Sequence, residues 1–185
     1  MNHNTPSKSA YLTKTIRQYG KPYQSEQDTI TYLLSNGIFA VNGRITHYRY
    51  VDIVAFGFIC IETKYSTLNK KHRYHWRVEP TTHNRNLRGQ IIILCAQTPC
   101  GIQRTIWNAN DPIFYLPTNQ LKRGIDYNPA RSALTTTSIY GITLTPTLWH
   151  DHIDRFDIIH TYLQNICTTM LTPENYHHYA VKYRK

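Results

Sequence analysis

Acidic residues are scarce in this chain of 185 residues: 11 Asp and Glu stand against 21 Lys and Arg, a formal charge of +10. So large a basic excess suits a polyanionic partner. Other absences narrow the class. No apolar run is long enough to span a bilayer, and no strongly amphipathic Lys/Arg helix points to a membrane surface. Met1 to Ser9 are polar, without the apolar stretch of a signal peptide. The cysteines at 60, 95, 100 and 167 form no CxxC pair. Cys60 and Cys95 lie in apolar runs and read as buried free thiols, which suit a reducing compartment. A cytoplasmic, intracellular protein without membrane attachment is therefore expected. There is no Gly-rich phosphate loop, no GxSxG and no convincing Cys/His nucleophile pair. The pairs His150/His152 and His177/His178 lack a cysteine or third histidine at ligand spacing, which argues against zinc. Neither an internal repeat nor a low-complexity segment is found.

The length is that of one domain over 1–185, enough for a core without disulfide or metal staples. Residues 1–22 read as a loosely ordered basic arm carrying Lys8, Lys14, Arg17 and Lys21. A helix is expected from about Ser25 to Asn36. Ser25 would be its N-cap, Asp28 would complete a capping box, Ile30, Leu33 and Leu34 would be its apolar face, and Gly37 its stop. Ile38 to Val41 reads as a short strand, followed by a turn at Asn42-Gly43. Residues 50–66, YVDIVAFGFICIETKYS, read as two strands around a turn at Phe56-Gly57, apolar on both faces and so buried. Residues 66–89 are polar and not helical. Gln90 to Ala96 is another buried strand, and Arg104 to Trp107 a candidate for one more. The Pro-, Asn- and Thr-rich region 108–150 holds short strand-like pieces such as IYGITLT. A last helix is expected from Asp151 to Met170, with Ile153, Phe156, Ile159, Leu163 and Ile166 at helical spacing and Pro173 beyond its end. That helix reads as core, with a homodimer contact as the alternative. The whole reads as an α/β fold, a mixed sheet flanked by helices.

Asp52, Glu62 and Lys64 carry the chemistry. If the hairpin turns at Gly57, Asp52 five residues before it faces Glu62 five residues after it, with Cβ atoms roughly 5 Å apart. Glu62 and Lys64 share a face by the two-residue period of a strand. Two carboxylates opposed on a buried sheet repel, and each is costly unless paired or bound to metal. A hard divalent cation answers both objections, with the Thr63 carbonyl as a further oxygen. Lys64 could then hold or deprotonate a water aimed at a phosphate. Glu26 sits in the first turn of the preceding helix, on the face of Ile30 and Leu33, within reach of this site. The dipole preference of acidic residues for helix starts is the competing explanation. For the trio, the competing explanation is a structural salt bridge.

The run VDIVAFGFICIETKYS, preceded by a helix carrying Glu26 and followed by the apolar strand 90–96, resembles the PD-(D/E)xK nucleases. These include restriction endonucleases, homing endonucleases and archaeal Holliday-junction resolvases. The resemblance covers residues 24–96, about two-fifths of the chain, leaving 97–185 as a strand and loop region with the C-terminal helix. It implies a restriction-endonuclease-like core and Mg²⁺ held by Asp52 and Glu62, with Mn²⁺ expected to substitute. It implies that Lys64 assists the attacking water, and that Glu26 is an auxiliary ligand or a group supporting the ligands. The products would carry 5′-phosphate and 3′-hydroxyl ends. Val51 stands where the family often has proline, and the helix that usually follows the ExK strand is not legible in residues 66–89.

A second feature is the segment 70–80, KKHRYHWRVEP, in which Arg73, His75 and Arg77 alternate with Tyr74, Trp76 and Val78. A strand there would show a basic and an aromatic face. Lys70, Lys71, Arg73, His75 and Arg77 would contact a phosphate backbone, and Arg85 and Arg88, with Asn84 and Asn86, would extend toward the bases. A solvated edge strand is the plainer reading. The expectation is thus a metal-dependent endonuclease acting on double-stranded DNA, of restriction or homing type, because the long polar C-terminal half leaves room for recognition. The alternatives are a non-catalytic nucleic-acid-binding protein, a junction-resolving nuclease or an RNA-processing nuclease.

Overall fold

The computed structural model describes residues 24–46, 51–77, 89–115, 124–130 and 141–170. Its first helix, α1, spans 24–35. Ser25 therefore lies inside the helix and does not cap it; its carbonyl accepts from the Thr29 hydroxyl at 2.8 Å. The other end behaves as the sequence suggests. Gly37 takes φ 77°, Ile38 N–H donates to Leu33 O at 2.9 Å, and Gly37 N–H donates to Leu34 O at 3.1 Å. This doubly bonded stop closes over Leu33 and Ile38, both fully buried.

The main sheet has five strands in the order β1 (Ala40–Asn42), β2 (Ile53–Ala55), β3 (Ile59–Thr67), β5 (Ile91–Thr98) and β6 (Gly101–Asn108). β3 and β5 run parallel; the other pairs are antiparallel. A three-stranded sheet joins β4 (Tyr74–Arg77), β7 (Gly124–Tyr127) and β8 (Gly141–Leu144). The run IIILCA in β5 is apolar at every position because both faces are covered. Ile91, Ile93 and Cys95 pack with Ile30 and Leu33 of α1 and with Ile159 of the last helix. Ile92, Leu94 and Ala96 pack with Tyr74, Trp76, Ile125, Tyr127, Leu144 and Trp149. Trp76, Tyr127 and Trp149 stack ring on ring, with centroids 5.3 and 4.6 Å apart.

One expectation is borne out and extended, and another is corrected. The candidate strand at Arg104–Trp107 is an eight-residue strand paired along its length with β5. Pro99 and Cys100 form a tight turn rather than a break, tied by the Thr98 hydroxyl donating to Gly101 O at 2.8 Å. The helix expected over Asp151–Met170 begins only at Phe156, as α3 (Phe156–Met170), and a separate short helix, α2 (Pro146–His150), precedes it. Between them the backbone pairs with β6 instead of continuing the helix. Ile106 N–H donates to His152 O at 2.9 Å, Thr105 bridges Ile153, and Asp154 turns out with φ 54°. The expectations for residues 1–22, Arg85, Arg88, Asn84, Asn86 and Pro173 fall outside the described residues. Among the described residues, no helix is long and apolar enough to cross a membrane.

Candidate active site

The β2–β3 hairpin turns through Phe56 and Gly57, at φ 51° and 83°. Glycine reaches that left-handed region at little cost, whereas phenylalanine does so under strain. The strands pair Ala55 with Ile59, Val54 with Cys60 and Ile53 with Ile61. One step further along this register Asp52 stands opposite Glu62, as the turn at Gly57 implies. Its carboxylate does not face Glu62 idly. Asp52 Oδ2 accepts from Thr63 N–H at 2.9 Å and from the Thr63 hydroxyl at 3.3 Å. In an extended strand a residue's N–H and C=O leave the same edge, so the Thr63 carbonyl also points toward Asp52. Glu62 Oε1 accepts from Lys64 Nζ at 2.5 Å. Their side chains are 16% and 29% exposed, so the pair sits at the surface of the core and within reach of a ligand.

Gly89 precedes β5 where a side chain has no room. A Cβ there would lie 2.7 Å from Glu62 N and 3.1 Å from Glu62 Cβ. The close approach of two backbones thus holds Glu62 from behind.

Glu26 is nearly buried, its side chain 4% exposed. Oε1 takes a 2.7 Å hydrogen bond from Arg44 Nη2, and Oε2 a 3.2 Å bond from Asn42 Nδ2. Burial pushes its carboxyl above the ordinary value, the charge of Asp52 pushes it further, and Arg44 pulls it down. Glu26 and Asp52 are therefore electrostatic neighbours. Sequence reasoning missed Asn42 and Arg44; the Asn42-Gly43 turn was the available signal. Asn42 Oδ1 accepts from Arg44 N at 2.9 Å, and Gly43 N–H donates to Asp52 O at 2.9 Å. Of the three carboxylates, Glu62 is paired with Lys64 and Glu26 with Arg44. Among the described residues Asp52 bonds only the neutral donors of Thr63. No three His, Cys, Asp or Glu side chains among the described residues gather closely enough to hold a metal ion by themselves.

The basic segment forms the expected strand. In β4, Tyr74 and Trp76 are buried, while His75 and Arg77 are exposed. Lys70 and Lys71 are exposed in the preceding turn, which Asn69 shapes by accepting from Lys71 N at 2.9 Å and Arg73 N at 3.3 Å. β4 pairs with β7 so that His75 opposes Asp126. Asp126 accepts from His75 Nδ1 at 2.8 Å and pairs with Arg73 Nη1 at 3.7 Å. Arg73 and His75 are thus partly engaged by an acid that the sequence reading did not connect to them.

These features define an α/β protein of endonuclease-like fold, a five-stranded mixed sheet flanked by helices. A solved structure similar to it is the bacterial homing endonuclease I-Ssp6803I. The two agree at a TM-score of 0.52 with 14% identity, over 80% of this chain and 95% of that one. No protein-family model matches the sequence, and no curated protein matches it.

Proposed function

We propose that this protein is a Mg²⁺-dependent DNA endonuclease, sequence-specific and of restriction or homing type, in which Mn²⁺ can substitute. The observation that carries the reading is Asp52 held against Glu62-Thr63-Lys64 at the end of the β2–β3 hairpin. Its setting, a fold similar to that of a homing endonuclease, supports it. The donor set fits a hard cation: Asp52, Glu62 and the Thr63 carbonyl are all oxygen donors. Among the described residues no group bonds Asp52 Oδ1, since both Thr63 donors go to Oδ2.

Bound there, Mg²⁺ would supply stabilisation of the negative charge that develops on the phosphate oxygens. The chain's own residues do the rest. Thr63 fixes the rotamer of Asp52 through two hydrogen bonds, Gly89 fixes the backbone of Glu62, and Glu62 fixes Lys64. Lys64 holds the attacking water in line with phosphorus by donating a hydrogen bond to its oxygen, and its positive charge favours loss of the water's proton to solvent. Lys70, Lys71 and Arg77, with His75 and Arg73 more weakly because of Asp126, lie along the phosphate backbone; Arg85 and Arg88 are proposed as further DNA contacts. Glu26 supports the site from behind.

The test is incubation of a plasmid library carrying randomised inserts with Mg²⁺, with Mn²⁺ and with EDTA. Cleavage in either metal and none in EDTA is expected, and Asp52→Asn should be inactive. A second reading, a non-catalytic nucleic-acid-binding protein, draws on the short Lys64–Glu62 contact, which satisfies both side chains as a structural pair. DNA binding without cleavage of any library member in either metal would establish it instead.

A further inference from the structure

The sequence pattern makes Glu26 look like a metal ligand, yet both its oxygens are already taken by Asn42 and Arg44. Its side chain is 4% exposed, whereas that of Arg44 is 38% exposed. A buried acid that grips a half-exposed guanidinium fixes the direction of the cation. The backbone beneath Arg44 is equally constrained. Asn42 caps its amide, and Gly43 presses so closely on the neighbouring chain that a Cβ would lie 2.1 Å from Val51 O. The turn of 3-10 helix at Gly43–Ile45 is therefore locked to the backbone that carries Asp52. Arginine's planar fork matches phosphate oxygens, and an arginine oriented in advance loses little freedom on contact.

Building on the nuclease reading above, we infer that Arg44 contacts a phosphate of the nucleic-acid backbone beside Asp52, and that Glu26 with Asn42 is its anchor. Lys64 lies along β3 beyond Glu62, and Arg44 lies on the turn whose Gly43 N–H bonds Asp52 O. The partner chemistry is a phosphodiester oxygen, recognised by charge and by fork geometry. Glu26 contributes position and no coordination.

The test uses the full chain, a short fluorescent DNA duplex and a KCl series in EDTA, read by anisotropy. Arg44→Met should shallow the slope of log affinity against log salt by about 0.9, the share of one lost phosphate contact. Because that variant strands a buried carboxylate, Glu26→Gln/Arg44→Met, which removes both charges, is measured beside it and should show the same shallowing. Glu26→Gln alone should keep the parent's slope and its Mg²⁺ affinity by calorimetry. An unchanged slope in the folded double variant removes Arg44 from the interface. Loss of Mg²⁺ binding in Glu26→Gln makes Glu26 a ligand and overturns the anchor. The slope needs no cleavage, so a parent that binds DNA but never cuts it sinks the nuclease reading and still leaves the Arg44 result readable.

Discussion

Replacing Lys64 with Met separates a structural role from a chemical one. The ammonium lies 2.5 Å from Glu62 Oε1, and the two side chains are 29% and 16% exposed. Halving a fully buried pair costs about 3–5 kcal/mol, and an exposed pair is worth less than about 1 kcal/mol. This pair is partly solvated, and Glu62 keeps another interaction. The loss should therefore be about 1.5 kcal/mol, placed between those two limits. For a chain of this size that is a fall of about 3–6 °C in Tm in metal-free buffer. Mg²⁺ should shrink the fall, because a cation at Asp52 and Glu62 takes over the neutralisation of Glu62. Cleavage should drop by about 10²–10⁴, the usual contribution of a group that assists proton transfer, while DNA affinity changes little. Differential scanning fluorimetry with and without Mg²⁺, beside a nicking assay, measures both. If Lys64→Met cuts within a few-fold of an active parent, the chemical role of Lys64 is wrong. A Tm loss that Mg²⁺ leaves untouched would instead mark a purely structural pair.

Other outcomes follow from the same geometry. Asp52→Ala leaves Thr63 N–H without its acceptor, costing about 1–3 kcal/mol; Asp52→Asn keeps an acceptor and should unfold near the parent in urea, yet be inactive. Gly89→Ala forces a Cβ to 2.7 Å from Glu62 N, so a lower Tm and impaired cleavage are expected, and a fully active, unperturbed variant contradicts the close approach. For Glu26 the raised carboxyl means that the folded protein holds this proton more tightly than the unfolded chain does. That contribution favours folding below the unfolded carboxyl range and is lost as pH rises through the raised value. Urea midpoints across that window should thus fall for the parent relative to Glu26→Gln, and the opposite trend refutes the assignment. Trp149→Ala opens the stack with Trp76 and Tyr127 and should cost about 3–5 kcal/mol in urea unfolding.

How far the sequence could be read depended on the range of the interactions. β3 and β5 were legible because their residues are apolar at consecutive positions, and the opposition of Asp52 and Glu62 followed from one glycine. The alternation of β4 was equally local. The late start of α3 was hidden because Ile153, Phe156 and Ile159 keep helical spacing, while what delays the helix is a strand some 50 residues earlier, pairing at Ile106 and Thr105. The grip of Arg44 on Glu26 spans 18 residues, and that of Asp126 on His75 spans 51. Neither leaves a periodic trace, since a single charged pair has no pattern until the sheet brings it together.

The alternation along β5 has a consequence for how such a protein could change. Ile91, Ile93 and Cys95 serve the side that carries α1 and hence Glu26; Ile92, Leu94 and Ala96 serve the side that carries β4 and β7. Odd and even positions of one strand thus answer to different tasks. Glu62 and Lys64 stand beside Ile92 and Leu94 and so share the even-numbered side. Remodelling this side therefore reaches the candidate site as well as the basic strand, whereas the odd-numbered side serves only the packing of α1 and the last helix. A designer grafting a new recognition surface would vary exposed positions of β4 and hold Ile92 and Leu94, the neighbours of Glu62 and Lys64, constant.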